Sequence, residues 1–534
     1  MMSNLSSVDR SLEDNGFSLK EFIMEKIDEI ENSKAPIGYF FLTFFFVIAI
    51  RNLLEASLYP QFYDISKVFN INTLIHFYLC YLFLALGIVL IFYLGTKTPI
   101  LKIVKIVFPF FIILTVAPVV DFIIRWKTGN PGVQMGYIVR GTMRDMIYRY
   151  FTFFGNFEPR SVGITTGMKI EILLIILLGF IYVYLSSSNI LKSIGCAGLL
   201  YTFIFWVGAY PIVLEFIFYD LMGTDILGRS MVVQNYIYLI LILLFGTAIL
   251  YIHDKKLVVN IIKDMRPERI AHFQLMFIMG IGLAVSSSGK IPSSFEYLRI
   301  LMALITIVLA CLYSLFINNI EDVEIDKISN VNRPLIKGDI SLETYKKMSW
   351  GILFTTFLFA YLVDEVFLFF IITFLATYFV YSAPPLRLKR LFILSKALIS
   401  FNSLVLVISG YWFIYNSTEN FPNTVILMIM VGFTMVINFI DLKDHEGDKE
   451  SGIITLPVMI GLKRAKVVIG ISFIVTYSMA IFIFGTDKIY MLIPLFLIGL
   501  TEYFLVNKKD YKEIHVFMIY LSSLFLLMVL YMAL

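Results

Sequence analysis

The sequence predicts an all-α polytopic membrane protein. Hydrophobic residues make up 59% of the 534-residue chain and charged residues only 15%, whereas soluble domains carry about 25% charged residues. The mean hydropathy of the chain is +0.85. Its apolar runs repeatedly reach about 20 residues, the length that an α-helix needs to cross a bilayer. These observations exclude a soluble enzyme, and the formal charge of +4 indicates no nucleic acid partner.

The N-terminal half begins with a polar tail, residues 1–36, that lacks an early apolar segment. We therefore predict a cytoplasmic tail with an amphipathic helix around 22–30, rather than a cleavable signal peptide. Six predicted spans follow near 37–58, 73–95, 101–125, 168–186, 193–218 and 232–252. We treat residues 37–252 as an N-terminal transmembrane domain whose function the sequence leaves open.

The segment 126–167 does not fit this count of spans. It is polar and contains Arg140, Arg144, Arg149 and Arg160, yet the six spans place it outside the cell. Either the count is wrong by one, or the segment is an interfacial helix or a domain that does not follow the charge rule.

The C-terminal half starts after a basic cytoplasmic linker, predicted at 253–268, and occupies residues 269–534. Nine spans are predicted near 270–287, 298–318, 348–362, 365–383, 393–415, 424–441, 466–484, 488–506 and 514–533. Every second loop is rich in Lys and Arg, and the loops between them carry few or none. The positive-inside rule therefore places all the basic loops in the cytoplasm.

Two acidic segments emerge from apolar spans on that same side, about 120 residues apart. The first carries its polar side chains at intervals of four and the second at intervals of three, three and four, so each set shares one helix face. The two sets are Asn318, Asp322 and Asp326, and Asn438, Asp441, Asp444 and Asp448. Oxygen-only donors of this kind suit Mg²⁺, and two facing sets would accommodate an anionic substrate between them.

Other metal chemistry is not indicated by the sequence. The three cysteines, Cys80, Cys196 and Cys311, lie in apolar segments without a CxxC pair, so neither structural zinc nor an iron–sulfur cluster is expected.

Two pairs of opposite charges lie near the ends of predicted spans. Arg51 and Glu55 are spaced for a helical ion pair, and so are Asp121 and Arg125. Ion pairs inside a membrane bundle can mark a functional cavity, but pairs near span ends are more often interfacial and structural, which is what we expect for these two.

Three motifs carry a family resemblance. The stretch 318–338, which ends in Asn-Arg-Pro-Leu-Ile-Lys-Gly, resembles the first signature of the UbiA superfamily of intramembrane prenyltransferases. The stretch 441–461 resembles the second signature, and 381–389 resembles the loop after the fourth helix. The motifs occur in the expected order in a nine-helix frame. The resemblance covers about residues 265–534 and implies a nine-helix UbiA-like bundle behind a separate N-terminal bundle.

The resemblance also implies roles for individual residues. It suggests that Asp322, Asp326, Asp444 and Asp448 are catalytic, and that these four bind the metal together with Asn318 and Asp441. Candidate ligands of the substrate diphosphate are Asn318, Arg333, Lys337, Tyr381, Arg387 and Lys389. Asn319 stands where many relatives have Asp, so this position lacks one negative charge, which we expect to alter metal or acceptor preference.

The implied function is Mg²⁺-dependent transfer of a prenyl group from a polyprenyl diphosphate to a lipophilic or aromatic acceptor within the membrane. The acceptor is expected to be an aromatic quinone precursor or a glycerol-phosphate lipid. Two alternatives stay open: a membrane transporter, and a non-catalytic UbiA-like scaffold whose function lies in the N-terminal half. The expected localisation is a multi-pass membrane protein with its active-site loops in the cytoplasm.

Overall fold

The structure is a computed structural model that describes residues 19–58, 70–129, 136–138, 141–155, 164–221, 230–450 and 452–532. The regular structure of these residues is helical, and fourteen of the helices are long and apolar enough to cross a membrane. The prediction of an all-α polytopic membrane protein is therefore confirmed. The chain divides into two compact units, residues 1–255 and 256–534.

The N-terminal unit contains six of the fourteen spans, the number predicted. Its described helices are α1 (Leu19–Glu31), α2 (Ile37–Leu58), α3 (Ile71–Thr96), α4 (Ile100–Phe110), α5 (Val116–Thr128), α6 (Met143–Phe151), α7 (Thr166–Ser187), α8 (Ile190–Gly208), α9 (Tyr210–Glu215) and α10 (Ser230–His253). Helices α4 and α5 form a single span, Ile100–Thr128, through a 3₁₀ turn at Phe111–Thr115. Pro109 lies just before that turn, where the missing N–H weakens the α-helical ladder.

The polar segment 126–167 contains one short described helix. Helix α6 begins with a capping box in which Thr142 and Asp145 satisfy each other's backbone N–H groups. Its residue Met146 is buried while Phe151 is exposed. Arg144 and Arg149 belong to this helix, whereas Arg140 and Arg160 lie outside the described residues. The amphipathic character of α6 favours the interfacial-helix alternative.

The C-terminal unit contains the other eight spans. Its helices are α11 (Lys255–Asp264), α12 (Pro267–Ser288), α13 (Ser294–Glu321), α14 (Val323–Ser329), α15 (Pro334–Lys337), α16 (Leu342–Val363), α17 (Glu365–Ser382), α18 (Phe392–Tyr415), α19 (Asn423–Leu427), α20 (Thr434–Val436), α21 (His445–Glu450), α22 (Leu456–Ile460), α23 (Leu462–Ser478), α24 (Ile481–Phe484), α25 (Leu492–Asn507) and α26 (Glu513–Met532). Helix α11 begins at the boundary and occupies most of the predicted linker 253–268.

A ninth long helix of this unit, α16, coincides with the predicted span 348–362. It is 22 residues long, but Lys346 and Lys347 near its start keep it out of the set of sufficiently apolar helices. The described part of the unit thus has nine long helical segments, as predicted, of which eight have the composition of a membrane span.

Helices α12 and α18 approach each other most closely at two glycines. A Cβ atom on Gly280 would lie 2.0 Å from the carbonyl oxygen of Val407, and one on Gly410 would lie 2.0 Å from that of Phe277. Small residues at such crossings allow backbones of membrane helices to touch, which compensates for the absence of a hydrophobic driving force in lipid. This contact fixes α18 beside α12, and both helices carry side chains of the site described next.

Candidate active site

The two acidic segments meet in the structure although about 120 residues separate them in sequence. Helix α14 carries the end of the first segment, helix α21 carries the end of the second, and the two helices contact each other. Neither segment is one continuous helix, in contrast to the sequence-based expectation. The first is interrupted at Asp322, and the second passes from a 3₁₀ helix, Ile437–Leu442, through a turn into α21.

Asp322 is nearly buried at the interruption between α13 and α14. Its Oδ1 accepts hydrogen bonds from Lys389 Nζ and, at 3.0 Å, from Arg387 Nη2. Arg387 also donates to the carbonyl oxygen of Glu321 at 2.7 Å. Both cations come from the loop between α17 and α18. Burial lowers the pKa of Lys389, and the Asp322 carboxylate partly opposes that shift. The ion pair between Lys389 and Asp322 thus compensates two charges that would otherwise be costly to bury.

Asp326 is the second buried carboxylate of the first segment. It accepts a hydrogen bond from Arg333, and its Oδ1 accepts one of 3.0 Å from Asn330. Burial raises the pKa of Asp326, the Arg333 guanidinium lowers it and nearby Asp322 raises it again. On the preceding turn, Asn318 Oδ1 accepts a hydrogen bond of 3.2 Å from Ser382. All three polar positions of the first segment therefore have a defined partner.

The second segment places its polar side chains by the three-residue repeat of a 3₁₀ helix, in which side chains at i and i+3 eclipse. Asn438 and Asp441 lie on this helix, and Asp444 N donates to the carbonyl oxygen of Asp441 at 3.2 Å. Asp441 Oδ1 accepts a 2.6 Å hydrogen bond from Lys396 Nζ, and both residues are buried. Lys396 is a lone cation inside the predicted span 393–415, a signal that the sequence reasoning missed.

Asp444 and Asp448 continue the second segment toward the surface and are both partly buried. Burial raises the pKa of Asp448 to about 7, and the neighbouring Asp441 and Asp444 carboxylates act in the same direction. Like charges close together disfavour simultaneous ionisation unless a cation lies among them.

The donors of the two segments suit a hard cation, although the described residues form no assembled group of three or more metal-binding side chains. Two buried oxygens, Asp441 Oδ2 and Asn438 Oδ1, have no hydrogen-bond partner among the described residues. Buried polar atoms are normally satisfied, so these two oxygens are free to coordinate a bound cation. The chemistry of the donor set therefore fits Mg²⁺.

Asn319 faces away from this donor set. Its Oδ1 accepts hydrogen bonds from Arg333, at 3.1 Å, and from Arg266, at 3.3 Å. Its Nδ2 donates to Asp264 Oδ2 and to the hydroxyl of Tyr345, both at 2.9 Å. An amide both donates and accepts, which a carboxylate at this position would not do. Asp264 and Arg266, which surround it, were not predicted as site residues.

A cavity of about 100 Å³ lies in the same unit and has a polar end and an apolar end. Arg266, Arg269, Asn318 and Tyr381 line its polar end, whereas Ile270 belongs to its apolar lining. Arg269 Nη2 is 3.6 Å from Glu513 Oε1, and Glu513 also pairs with Lys443 of the second segment. The sequence reasoning treated Arg266 and Arg269 only as signals of topology.

Lys337 is separate from this group of contacts. It lies exposed at the end of α15 and takes part in none of the ion pairs found in the described residues. Of the four cations predicted to hold a diphosphate, the structure thus pairs Arg333, Arg387 and Lys389 with the acidic segments and leaves Lys337 at the surface.

Residues 275–527 match the model of the UbiA prenyltransferase family. The C-terminal unit belongs to the UbiA prenyltransferase family. It is an enzyme domain of the class that transfers prenyl groups, in an integral, multi-pass membrane protein.

Individual relatives of this UbiA-family unit are named for different reactions. The chain is 27% identical over 247 residues to a digeranylgeranylglyceryl phosphate synthase from Sulfurisphaera tokodaii, an alignment that covers 42% of this chain and 84% of the relative. It is 28% identical over 208 residues to a homogentisate phytyltransferase from Synechocystis sp., covering 35% of this chain and 61% of that relative.

A solved structure of a UbiA homologue from Archaeoglobus fulgidus bound to GPP and Mg²⁺ is 18% identical to this chain. The superposition has a TM-score of 0.42 and covers 51% of this chain and 97% of that one.

Proposed function

We propose that the UbiA-family unit transfers a prenyl group from a polyprenyl diphosphate to a lipophilic acceptor that carries an anionic group. One observation supports this most directly: α14 and α21 bring the two acidic segments into contact, with lysine and arginine side chains on their carboxylates. The unit belongs to a family that transfers prenyl groups, and this arrangement has the charges that a diphosphate requires.

The cations around the acidic segments are the proposed donors to the diphosphate. Arg387 and Lys389 form ion pairs with Asp322, and Arg333 forms one with Asp326, so three cations are bound to carboxylates of the first segment. Guanidinium and ammonium groups bind phosphate oxygens with the same hydrogen bonds that they make to carboxylates. We propose that these three residues exchange part of their carboxylate contacts for contacts with the donor.

We propose that Asp322, Asp326, Asp441, Asp444 and Asp448, with Asn318 and Asn438, hold Mg²⁺. Mg²⁺ bound there would neutralise the diphosphate and improve it as a leaving group. In the reaction the allylic C–O bond breaks, its electron pair stays on the diphosphate, the nucleophile of the acceptor bonds to the freed carbon and the acceptor loses a proton. Apolar helices around the site keep water away from the carbon centre.

The anionic group of the acceptor is proposed from the two arginines that line the cavity. Arg266 and Arg269 both line it; Arg269 lies 3.6 Å from Glu513, and Arg266 donates to the neutral amide of Asn319. This suits either the phosphate of a glycerol-phosphate lipid or the carboxylate of an aromatic quinone precursor. Of the two relatives named above, one is a digeranylgeranylglyceryl phosphate synthase and the other a homogentisate phytyltransferase, names that correspond to these two kinds of compound. Because the basic loops and acidic segments share one side, we propose that the active-site loops are cytoplasmic.

The test is a prenyl-transfer assay on purified full-length protein in detergent. It uses labelled geranylgeranyl diphosphate with Mg²⁺ or with EDTA, and offers geranylgeranylglyceryl phosphate and homogentisate separately. We expect product that depends on Mg²⁺, is abolished by Asp322→Asn and forms with one of the two acceptors. Arg266→Gln and Arg269→Gln should raise the KM for that acceptor and change the KM for the diphosphate little.

Two results would contradict the proposal. Product that persists in EDTA and in Asp322→Asn would remove the acidic segments from the reaction. A folded protein that fails to bind the diphosphate would instead favour the non-catalytic scaffold, with the function of the chain in its N-terminal unit.

A further inference from the structure

The N-terminal unit contains a cavity of about 280 Å³. Ligand pockets usually measure about 300–1,000 Å³, so this cavity is close to the lower end of that range, which suits one small or slender molecule. Nothing in the UbiA-family unit accounts for it, because all of its lining residues belong to residues 19–221.

The cavity is elongated along the membrane spans. One face of helix α3 lines it from Phe77 to Phe92, and one face of α7 lines it from Met168 to Tyr182. At 1.5 Å per residue, each of these faces is about 20 Å long. At their far ends, the rings of Phe92 and Tyr182 contact each other with centroids 5.1 Å apart. The shape suits a single extended hydrocarbon chain.

The end of the cavity near Phe92 is apolar. Ile23 and Ile27, on the amphipathic helix α1, line the cavity there together with Ile88. Helix α1 is attached at this end, because Tyr182 donates to Glu31 at 3.0 Å and Lys105 Nζ donates to the carbonyl oxygen of Ser33 at 2.7 Å.

The opposite end is charged although it is buried. Arg51 and Glu55 form an ion pair there, and their exposed fractions are 5% and 3%. The Arg51 guanidinium lies 5.4 Å from the ring centroid of Tyr81. Glu171, from α7, is 8% exposed and accepts a 3.2 Å hydrogen bond from the backbone N–H of Ala117. Arg51 and Glu55 are thus buried within the protein and line a cavity, which corresponds to the less expected of the two alternatives for this pair.

A hydrogen-bonded network supports this charged end. Tyr137 lines the cavity, and its hydroxyl lies 3.0 Å from His76 Nε2 and 2.9 Å from the hydroxyl of Tyr238. His76 Nδ1 in turn lies 2.7 Å from Asn235 Oδ1. Ionisable side chains inside membrane bundles are costly, and they usually mark a binding site or a pathway.

We propose that this cavity binds a single-chain lipid alcohol, with its hydrocarbon chain along α3 and α7 and its hydroxyl at Glu55 and Glu171. The described lining residues include two carboxyl groups, and their one guanidinium, that of Arg51, is already paired with Glu55, so an anionic head would find no unpaired cation there. A hydroxyl donates to a carboxylate without adding a charge that must be buried.

The test uses photoaffinity labelling of the purified full-length protein in detergent with a diazirine analogue of geranylgeraniol. Labelled peptides are identified by mass spectrometry, which separates this cavity from the UbiA-family site. We expect labels within 71–96 and 166–187, and competition by geranylgeraniol about tenfold stronger than by the hydrocarbon that lacks its hydroxyl. Geranylgeranyl diphosphate should compete no better at these peptides than the hydrocarbon.

Two matched variants on α7 sharpen the experiment. Ile175 lines the cavity, whereas Leu177 is 54% exposed and does not, so Ile175→Trp should abolish the labelling and Leu177→Trp should preserve it. Glu171→Gln should weaken competition by the alcohol about fivefold, because the variant replaces one of the two carboxyl oxygens by an amide NH₂ group that cannot accept a hydrogen bond. If Ile175→Trp does not fold, Glu171→Gln still tests the polar end.

The proposal is overturned if the hydrocarbon or the diphosphate competes as well as the alcohol, or if Glu171→Gln has no effect on the competition. Labelling spread over the outward faces of the spans, insensitive to Ile175→Trp, would also overturn it. Asp322→Asn, which tests prenyl transfer, should leave the labelling of 71–96 and 166–187 unchanged, so the two proposals can fail separately.

Discussion

The side-chain amide of Asn319 donates a 2.9 Å hydrogen bond to the carboxylate of Asp264, and both residues are buried. Tyr345 also donates to that carboxylate. An acid from α11, the helix before the first span of the C-terminal unit, is therefore held against the first acidic segment. The neutral side chain at position 319 therefore lies beside a carboxylate that a different helix supplies. Asn319 links Asp264 and Tyr345 to Arg266 and Arg333.

We predict that Asn319→Asp destabilises the protein by about 1–3 kcal/mol, because two buried carboxylates would face each other where a hydrogen bond now forms. Thermal unfolding in detergent measures the change. The exchanged pair, Asn319→Asp with Asp264→Asn, should recover most of the loss, since it restores one donor and one acceptor. A single variant as stable as the wild type would show that Arg266 and Arg333 outweigh the repulsion.

The buried acid Asp326 and the exposed acid Glu324 lie on the same short helix and form a matched pair. The side chain of Glu324 is 81% exposed and pairs only with Lys327 among the described residues, whereas that of Asp326 is 4% exposed and pairs with Arg333. We predict that Asp326→Asn lowers kcat/KM for prenyl transfer about 100-fold, because it removes a carboxylate that is proposed to hold Mg²⁺. Glu324→Gln should stay within about twofold. Equal effects of the two variants would exclude a direct role for Asp326.

The ion pair between Lys396 and Asp441 should be critical for stability. Lys396→Met leaves the Asp441 carboxylate buried without its cation, which costs about 3–5 kcal/mol. The exposed pair Lys347–Glu343, also joined at 2.6 Å, provides the control, and Lys347→Met should cost less than about 1 kcal/mol. The measurement is the unfolding midpoint of each variant in the same detergent. Adding Asp441→Leu to Lys396→Met should restore stability but not activity.

The glycine contact between α12 and α18 gives a prediction about packing. Gly280→Ala inserts a Cβ atom 2.0 Å from the Val407 carbonyl oxygen, so the helices must separate, at a cost of about 1–3 kcal/mol. A Cβ atom added to Gly351 on α16 would meet no neighbouring atom within 4 Å, and Gly351→Ala should be neutral or stabilising by up to about 1 kcal/mol. Unfolding midpoints compare the two. A destabilised Gly351→Ala beside an unchanged Gly280→Ala would contradict the observed contact.

The arrangement of spans could be predicted because it depends on local properties of the chain. Six spans before the boundary and nine long helical segments after it follow from apolar length alone. The interruptions were harder to foresee. The break at Asp322 and the 3₁₀ helix at Ile437–Leu442 leave apolar content unchanged, so hydropathy does not report them. They nevertheless determine the direction of the acidic side chains.

By itself, the sequence determined the membrane class, the positions of the spans and the residues of the two acidic segments, because periodicity and composition act within a few turns of one helix. Only the tertiary structure decided which cation meets which acid. Lys396 pairs with Asp441 and Lys389 pairs with Asp322, although 45 and 67 residues separate the partners in sequence. These contacts form only because the helices pack against one another. The same reason applies to Arg51 and Glu55: their spacing predicted an ion pair, but its burial beside a cavity depends on helices that pack from elsewhere in the chain.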